Sequence, residues 1–294
     1  MFGSILVPTD GSTSAEAPIA HALELARVDD ATIHALYVVD GDLETPALDA
    51  ESRDTLADAS EKRGQEATVR IENAADEQGF RSVREVREGA PHTAILEYAE
   101  EQAVDLIVMG THGRTGAERV RLGSTTERVI MLSDVPVVSV PLEAEGGDAS
   151  YDRIVIPTDG SDAAERAAAT ALDVAEGTDA TVHVVYVVDT TTYELEDAPR
   201  SIVGLLKEGG ENATSSIAEM ARDRDLSAKT DVRRGQPASK LLEYASAVDA
   251  DLLVMGTRGQ ALGTRGQPVD ADRLLGSTTA RVVRRSSVPV LTVR

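Results

Sequence analysis

Residues 4–40, SILVPTDGSTSAEAPIAHALELARVDDATIHALYVVD, return as RIVIPTDGSDAAERAAATALDVAEGTDATVHVVYVVD at a constant offset of 149, from Ile5 and Ile154 to Asp40 and Asp189. Further on, EGAPHTAILEYAEEQAVDLIVMGT matches RGQPASKLLEYASAVDADLLVMGT, and LGSTTERVIMLSDVPVVSV matches LGSTTARVVRRSSVPVLTV. Repeats this long are too large for solenoid units, and each is big enough to bury a core of its own. The chain is therefore expected to hold two copies of one domain, residues 1–143 and 151–294. The stretch LEAEGGDAS is polar and glycine-bearing, so residues 144–150 read as the linker.

Within each copy, short β-branched runs alternate with helical patterns. Strands are expected in the first copy near 4–8, 31–39, 83–88, 105–109 and 135–140. Between them, apolar residues recur three and four apart, as in Ile19, Leu23 and Ala26, or Ile95, Tyr98 and Ala99. Thr13 with Glu16, and Asp162 with Glu165, read as capping boxes opening the first helix of each copy. Near-continuous apolar runs such as DLIVMG suit a parallel sheet covered on both faces. Right-handed crossovers then make each copy a doubly wound α/β domain with a five-stranded parallel sheet, Rossmann-like in architecture. The last strands, VPVVSV and VPVLTV, are expected at sheet edges, where an apolar edge calls for pairing or cover.

In such a sheet, ligands bind beyond the carboxyl ends of the strands, where the strand order reverses. Two connections stand out there: PTDGS after the first strand and GTHGRTGAERVRLGST after the fourth. The second supplies what an anion site needs, with Gly110 and Gly113 allowing close backbone approach. Gly123, Ser124, Thr125 and Thr126 open a helical run that ends near Ser133. The plainer alternative is that Gly110 ends a strand and Ser124 caps a helix. Asp10 stands where a carboxylate accepts hydrogen bonds from ribose hydroxyls, and Pro8 and Val38 offer apolar surface to a base. A turn-forming Asp-Gly before a helix accounts for Asp10 equally simply.

The formal charge of −22 opposes binding to nucleic acid or an anionic membrane, both of which are polyanions. Only four of the 29 basic residues are lysines, and Phe and Tyr together number eight, a composition like that of halophilic proteins. No apolar run approaches the roughly 20 residues of a membrane span, and no secretory signal pattern opens the chain, so a cytoplasmic location is expected. With no cysteine, disulfides and thiolate metal sites are excluded. His34 and His183 occupy equivalent strand positions, but no second ligand stands at zinc-site spacing, which favours packed imidazoles.

Taken together, VPTDGS, the YVVD strand end and G-x-x-G-x9-G-S over 110–124 closely resemble the universal stress protein family in its ATP-binding subgroup. The resemblance covers both copies and implies a tandem form with an adenine nucleotide as ligand, ATP accompanied by Mg²⁺ or Mn²⁺. It implies that Asp10 takes the ribose, Val38 the adenine, and Gly110, Gly113, Gly123 and Ser124 the ribose-phosphate backbone, with Thr125 assisting and Pro8 beside the base. In the second copy the matching positions are Pro157, Asp159, Val187, Gly256, Gly259, Gly276, Ser277 and Thr278. It implies also that the edge strands pair, here between the two copies inside one chain, with a homodimer as a further step.

The second copy departs from the pattern. Sixteen residues separate Gly259 from Gly276 instead of nine, whereas Gly263 and Gly266 restore the usual spacing. GTRGQAL followed by GTRGQPV reads as a seven-residue duplication, and lengthening the loop costs only about 0.5 kcal/mol of closure entropy. Arg114 follows the second glycine in the first copy, where Gln260 or Gln267 stands in the second. From Arg114 the first site is expected to bind triphosphate more tightly, although a solvated arginine is the plainer account.

No G-x-x-x-x-G-K-[ST] loop is present, no lysine lies near the glycine passage, and no base is placed to activate water. Nucleotide capture with at most slow hydrolysis is therefore expected, in a stress-response module that ATP occupancy switches. The competing readings are an interaction or scaffold protein with a vestigial crevice, and a nucleotidyl-transfer enzyme that would need a catalytic motif not found here.

Overall fold

The computed structural model of the protein describes residues 1–12, 16–40, 50–111, 122–144, 149–190, 200–258 and 275–294. The chain divides into two compact units, Met1–Ala149 and Ser150–Arg294. The first unit runs β1 (Ser4–Thr9), α1 (Glu16–Asp29), β2 (Thr32–Asp40), α2 (Ala50–Glu77), β3 (Ser82–Gly89), α3 (Pro91–Glu101), β4 (Leu106–Gly110), α4 (Ser124–Leu132) and β5 (Val137–Val140). The second repeats it as β6 (Arg153–Thr158), α5 (Asp162–Thr178), β7 (Thr181–Asp189), α6 (Arg200–Arg222), β8 (Ala228–Gly235), α7 (Pro237–Ala247), β9 (Leu252–Gly256), α8 (Ser277–Arg285) and β10 (Val290–Val293).

Strand order in the first unit is β3-β2-β1-β4-β5, and in the second β8-β7-β6-β9-β10. Every described ladder within a unit is parallel. The five-stranded doubly wound sheet expected from the alternating pattern is thus the observed one. Its order reverses between β1 and β4, so the connections after these two strands leave the same edge side by side. At the opposite edge a carboxylate fixes the pair: Asp105 Oδ2 accepts from the amides of Gly3 and Ser4 at 2.9 and 3.0 Å. Asp251 repeats this with Asp152 and Arg153 at 3.0 and 2.8 Å.

Side chains alternate across the sheet, and the alternation decides which helix each residue meets. Tyr37 faces α2, where Gly64 makes room for its ring. His34, three residues back and on the other face, shares a 2.8 Å hydrogen bond with Tyr98 of α3. Accordingly α1 and α2 cover one face, and α3 and α4 the other. Burial follows: Ile5, Leu6, Ile33, Leu36, Leu106, Ile107 and Val108 are wholly inaccessible. Each such side chain contributes roughly 1.5–3 kcal/mol on leaving water.

The helix starts correct one expectation. The first turn of α5 is capped by Ser161, and Asp162 is already helical. Ser161 has extended backbone, φ −86° and ψ 156°, so its hydroxyl can accept from the amide of Ala164 at 3.2 Å. Asp162 and Glu165 therefore lie in the first turn, where their charge complements the helix dipole without forming a capping box. The corresponding Thr13 lies outside the described residues.

Candidate functional site

The crevice begins where β1 ends. Gly11 turns with φ +75° and Gly160 with φ +76°, a left-handed conformation that only glycine adopts freely. The turn lets Asp10 Oδ1 accept from both the amide and the hydroxyl of Ser12, at 3.0 and 2.6 Å. Asp159 holds Ser161 at the same distances. One carboxylate oxygen of each aspartate is thus engaged in shaping the turn that carries it, as the plainer sequence account required. Both side chains are half-buried.

Pro8 pairs in register with Leu36, and Thr9 with Tyr37, so Pro8 shares a face with Leu36 and, two residues on, with Val38. That face is the one covered by α3 and α4. The carboxyl edge therefore presents Pro8 and Val38 on the same side of the sheet as the amino end of α4. Val38 is buried and Pro8 half-buried; in the second unit Pro157 is buried and Val187 half-buried.

The fourth strand closes the site. Thr111 donates its amide to the Val140 carbonyl at 2.9 Å, and its own carbonyl accepts from the amide of Gly123 at 2.8 Å, so both ends of the connection are pinned together. Gly123, with φ −58° and ψ 139°, is the residue that caps α4, and it has no side chain to cap with. Ser124 is consequently the first helical residue rather than the cap, and it is exposed. The first turn of α4 thus receives no side-chain cap from Gly123, at the end where the helix carries the positive end of its dipole. Nothing in the residue pattern singles out Thr126 from Ser124 and Thr125. The buried Thr126 hydroxyl donates to the Gly110 carbonyl at 2.8 Å and fastens the helix to the strand end.

The second unit has the same construction. Thr257 donates to Val293 and accepts from Gly276, both at 2.8 Å, and Thr279 donates to the Gly256 carbonyl at 2.9 Å. A Cβ on Gly256 would stand 3.0 Å from the Arg258 carbonyl oxygen and 3.1 Å from that of Ala163. This glycine therefore serves the close approach of strand end to α5, whatever else it admits. Gly113 and Gly259, with Arg114, Gln260, Gly263, Gly266 and Gln267, lie outside the described residues. Ser277 and Thr278 follow Gly276 into α8 as Ser124 and Thr125 follow Gly123 into α4.

Arg63 of α2 is a further neighbour that periodicity gave no sign of. Its stem lies against Gly11, on the opposite face of the sheet from α4; Cγ would be 3.0 Å from a Cβ there. The histidines are packed side chains. His34 and His183 meet the Tyr98 and Tyr244 hydroxyls at 2.8 and 3.0 Å, and Arg87 and Arg233 stack on the same tyrosine rings. Burial holds both imidazoles below their ordinary pKa, and for His183 the nearby Lys229 and Arg153 add to the effect. Among the described residues, no group of three His, Asp or Glu side chains is placed to hold a metal ion. No described helix is long and apolar enough to cross a membrane.

Comparison with known proteins fits this duplicated geometry. The model of the universal stress protein family matches residues 1–141 and again 150–294. A universal stress protein of Methanocaldococcus jannaschii, MJ0531, is 41% identical over 143 residues, covering 48% of this chain and 82% of that protein. A universal stress protein of Mycolicibacterium smegmatis is 27% identical over 306 residues, 99% of this chain and 96% of its own length. In fold, the crystal structure of a universal stress protein from Archaeoglobus fulgidus superposes with a TM-score of 0.73 at 23% identity, covering 99% of this chain and 96% of that one. The chain belongs to the universal stress protein family, in a tandem form with two copies of the domain.

Proposed function

We propose that the protein captures an adenine nucleotide, ATP, at the carboxyl edge of each sheet, and that occupancy switches a surface read in a stress response. The observation that carries this reading is the convergence at one edge of three different recognition chemistries. Asp10 offers a carboxylate acceptor suited to ribose hydroxyls, and Pro8 with Val38 offers apolar surface suited to a base. The uncapped first turn of α4 offers amides suited to phosphate. Gly110, Gly113, Gly123, Ser124 and Thr125 would line the phosphate path. Asp159, Pro157, Val187, Gly256, Gly259, Gly276, Ser277 and Thr278 would repeat the arrangement in the second unit.

The donors in the first turn of α4 are hydroxyls, amides and the carboxylate of Glu127, with no cluster of metal-binding side chains among the described residues. A Mg²⁺ or Mn²⁺ ion would thus arrive on the phosphates, with hydroxyls such as that of Ser124 as the protein's contribution. Turnover is at most slow in this reading, because the described residues supply binding groups and the sequence carries no motif that sets a base beside the phosphates. Pairing of the two copies within the chain, and a homodimer beyond it, belong to the same proposal and are read by mass in solution.

Mass spectrometry of the purified protein after denaturation should find adenine nucleotide, or the stripped protein should take it up on titration. Asp10→Ala should weaken uptake by the first crevice at least tenfold, about the value of a hydrogen bond to a charged group. Failure of the folded protein to bind any adenine nucleotide would leave it a scaffold with a vestigial crevice. Phosphate release under multiple turnover separates capture from catalysis.

A further inference from the structure

The amino-terminal edge of the second sheet, opposite its crevice, gathers nitrogen donors that no carboxylate takes up. Val155 of β6 lies opposite His183 of β7, and His183 lies opposite Lys229 of β8. Residues two apart in a strand share a face, so Arg153, two before Val155, joins His183 and Lys229 on the face that α7 covers. Neighbouring strands lie about 4.8 Å apart, which makes Lys229 the direct neighbour of His183 and Arg153 the diagonal one.

His183 is 4% exposed. Its Nδ1 meets the Tyr244 hydroxyl at 3.0 Å, and its Nε2 is buried with no partner among the described residues. Arg153 Nε is buried and unpartnered as well. The Asp251 carboxylate stands 3.9 Å from it, beyond hydrogen-bond reach, and the same Oδ2 already accepts from the amides of Asp152 and Arg153 at 3.0 and 2.8 Å. Elsewhere in this acidic chain guanidiniums find carboxylates: Arg84 meets Glu72, Arg87 meets Glu101, and Arg233 meets Asp231. Two buried nitrogens left over side by side therefore mark a place for something else that bonds to them.

The first unit serves as an internal control. Ser4, His34 and Val83 hold the equivalent positions, and His34 keeps its tyrosine at 2.8 Å, but neither neighbour carries charge. The histidine–tyrosine pair is thus common to both units, whereas the cationic flanks belong to the second. Burial, Lys229 and Arg153 together keep the His183 imidazole neutral. A neutral ring still donates from Nε2 when the tyrosine hydroxyl donates to Nδ1.

We propose that Arg153, His183 and Lys229 form an anion site in the second unit, and that its ligand is a single-atom anion, chloride. Charge and enclosure both select it. Asp251 offsets Arg153, and Asp231 offsets Arg233 at 2.7 Å, so Lys229 leaves one positive charge for a monovalent ion. The enclosed Nε and Nε2 suit one atom better than an oxyanion, whose outward oxygens would need acceptors' partners of their own. Arg153, with a side chain 41% exposed, and the exposed Lys229 have long stems that can swing to admit the ion. The site is independent of the nucleotide reading.

The test uses the full chain with ¹⁵N-labelled histidine, replacing potassium gluconate by KCl at constant ionic strength so that screening does not change. His183 Nε2 should shift saturably with chloride while His34 does not. Arg153→Ser and Lys229→Val, which copy the first unit, should each weaken that response by about tenfold or more. The urea midpoint of the parent should also rise with chloride under the same replacement, and the rise should vanish in the variants. If Arg153→Ser does not fold, Lys229→Val gives the same reading. No saturable response at His183, an equal response at His34, or a full response in both folded variants overturns the site. A response to phosphate with none to chloride overturns the choice of a single-atom ion.

Discussion

A methyl group at Gly64 would fall 2.5 Å from the ring of Tyr37, and one at Gly210 would fall 2.6 Å from the ring of Tyr186. Helix propensity alone would reward Gly→Ala in mid-helix by about 1 kcal/mol. Tyr37 is fully buried, so the ring has nowhere to retreat. Gly64→Ala is therefore expected to destabilise the first unit by about 1–3 kcal/mol, the range for overpacking, as measured by urea unfolding. Protonation provides a second residue-scale prediction. Burial lowers the pKa of His21 to about 4, and lowers those of His34 and His183 as well. As pH falls below about 6.5, the unfolded chain takes up protons that the folded chain refuses. The stability His21 contributes is complete above that pH and is lost as the pH falls to about 4, by up to about 3 kcal/mol, and His34 and His183 act in the same direction. His21→Leu should flatten the acid-side loss in urea midpoints measured between pH 7 and 4; an unaltered slope would contradict the assignment. At this scale the sequence was informative about residue type and silent about direction. The matching histidines were recognisable as a repeated position, but their tyrosine partners lie 61 and 64 residues away.

Elements were the most legible level, because each copy's apolar periodicity is decided locally and the repeat offers it twice. The strands and the start of α4 lie within two residues of their expected bounds. Caps were less legible: Ser161 and Asp162 are both good capping residues, and only the extended backbone of Ser161 chooses between them. Thr126 was hidden for a related reason. Three hydroxyl residues follow Gly123, and helical rotation alone determines which of them turns back to the strand. Removing that hydroxyl by Thr126→Val should cost about 1–3 kcal/mol, since the Gly110 carbonyl keeps its burial but loses its donor. The same substitution should weaken ATP binding to the first crevice severalfold, because the amides of α4 lose their fixed aim. Equal ATP affinity in a variant of reduced stability would show that the clamp serves folding only.

At the scale of the whole molecule, 51 acidic against 29 basic residues leave a net charge of −22, and like charges at this density oppose compaction. Urea midpoints are expected to rise as KCl goes from 0.1 to 1 M, because screening relieves repulsion more than it weakens the exposed ion pairs. The duplicated architecture was plain in the 149-residue offset, whereas occupancy of the crevices depends on loops whose spacing differs between the copies. The most direct measurement of the central claim is calorimetric titration of ATP with Mg²⁺ into the full chain in molar KCl, beside the Gly123→Val, Gly276→Val double variant. Saturable heat in the parent and its loss in a folded double variant is the predicted result. A folded parent that gives no heat with ATP, ADP or AMP, or a double variant that binds as the parent does, would contradict it.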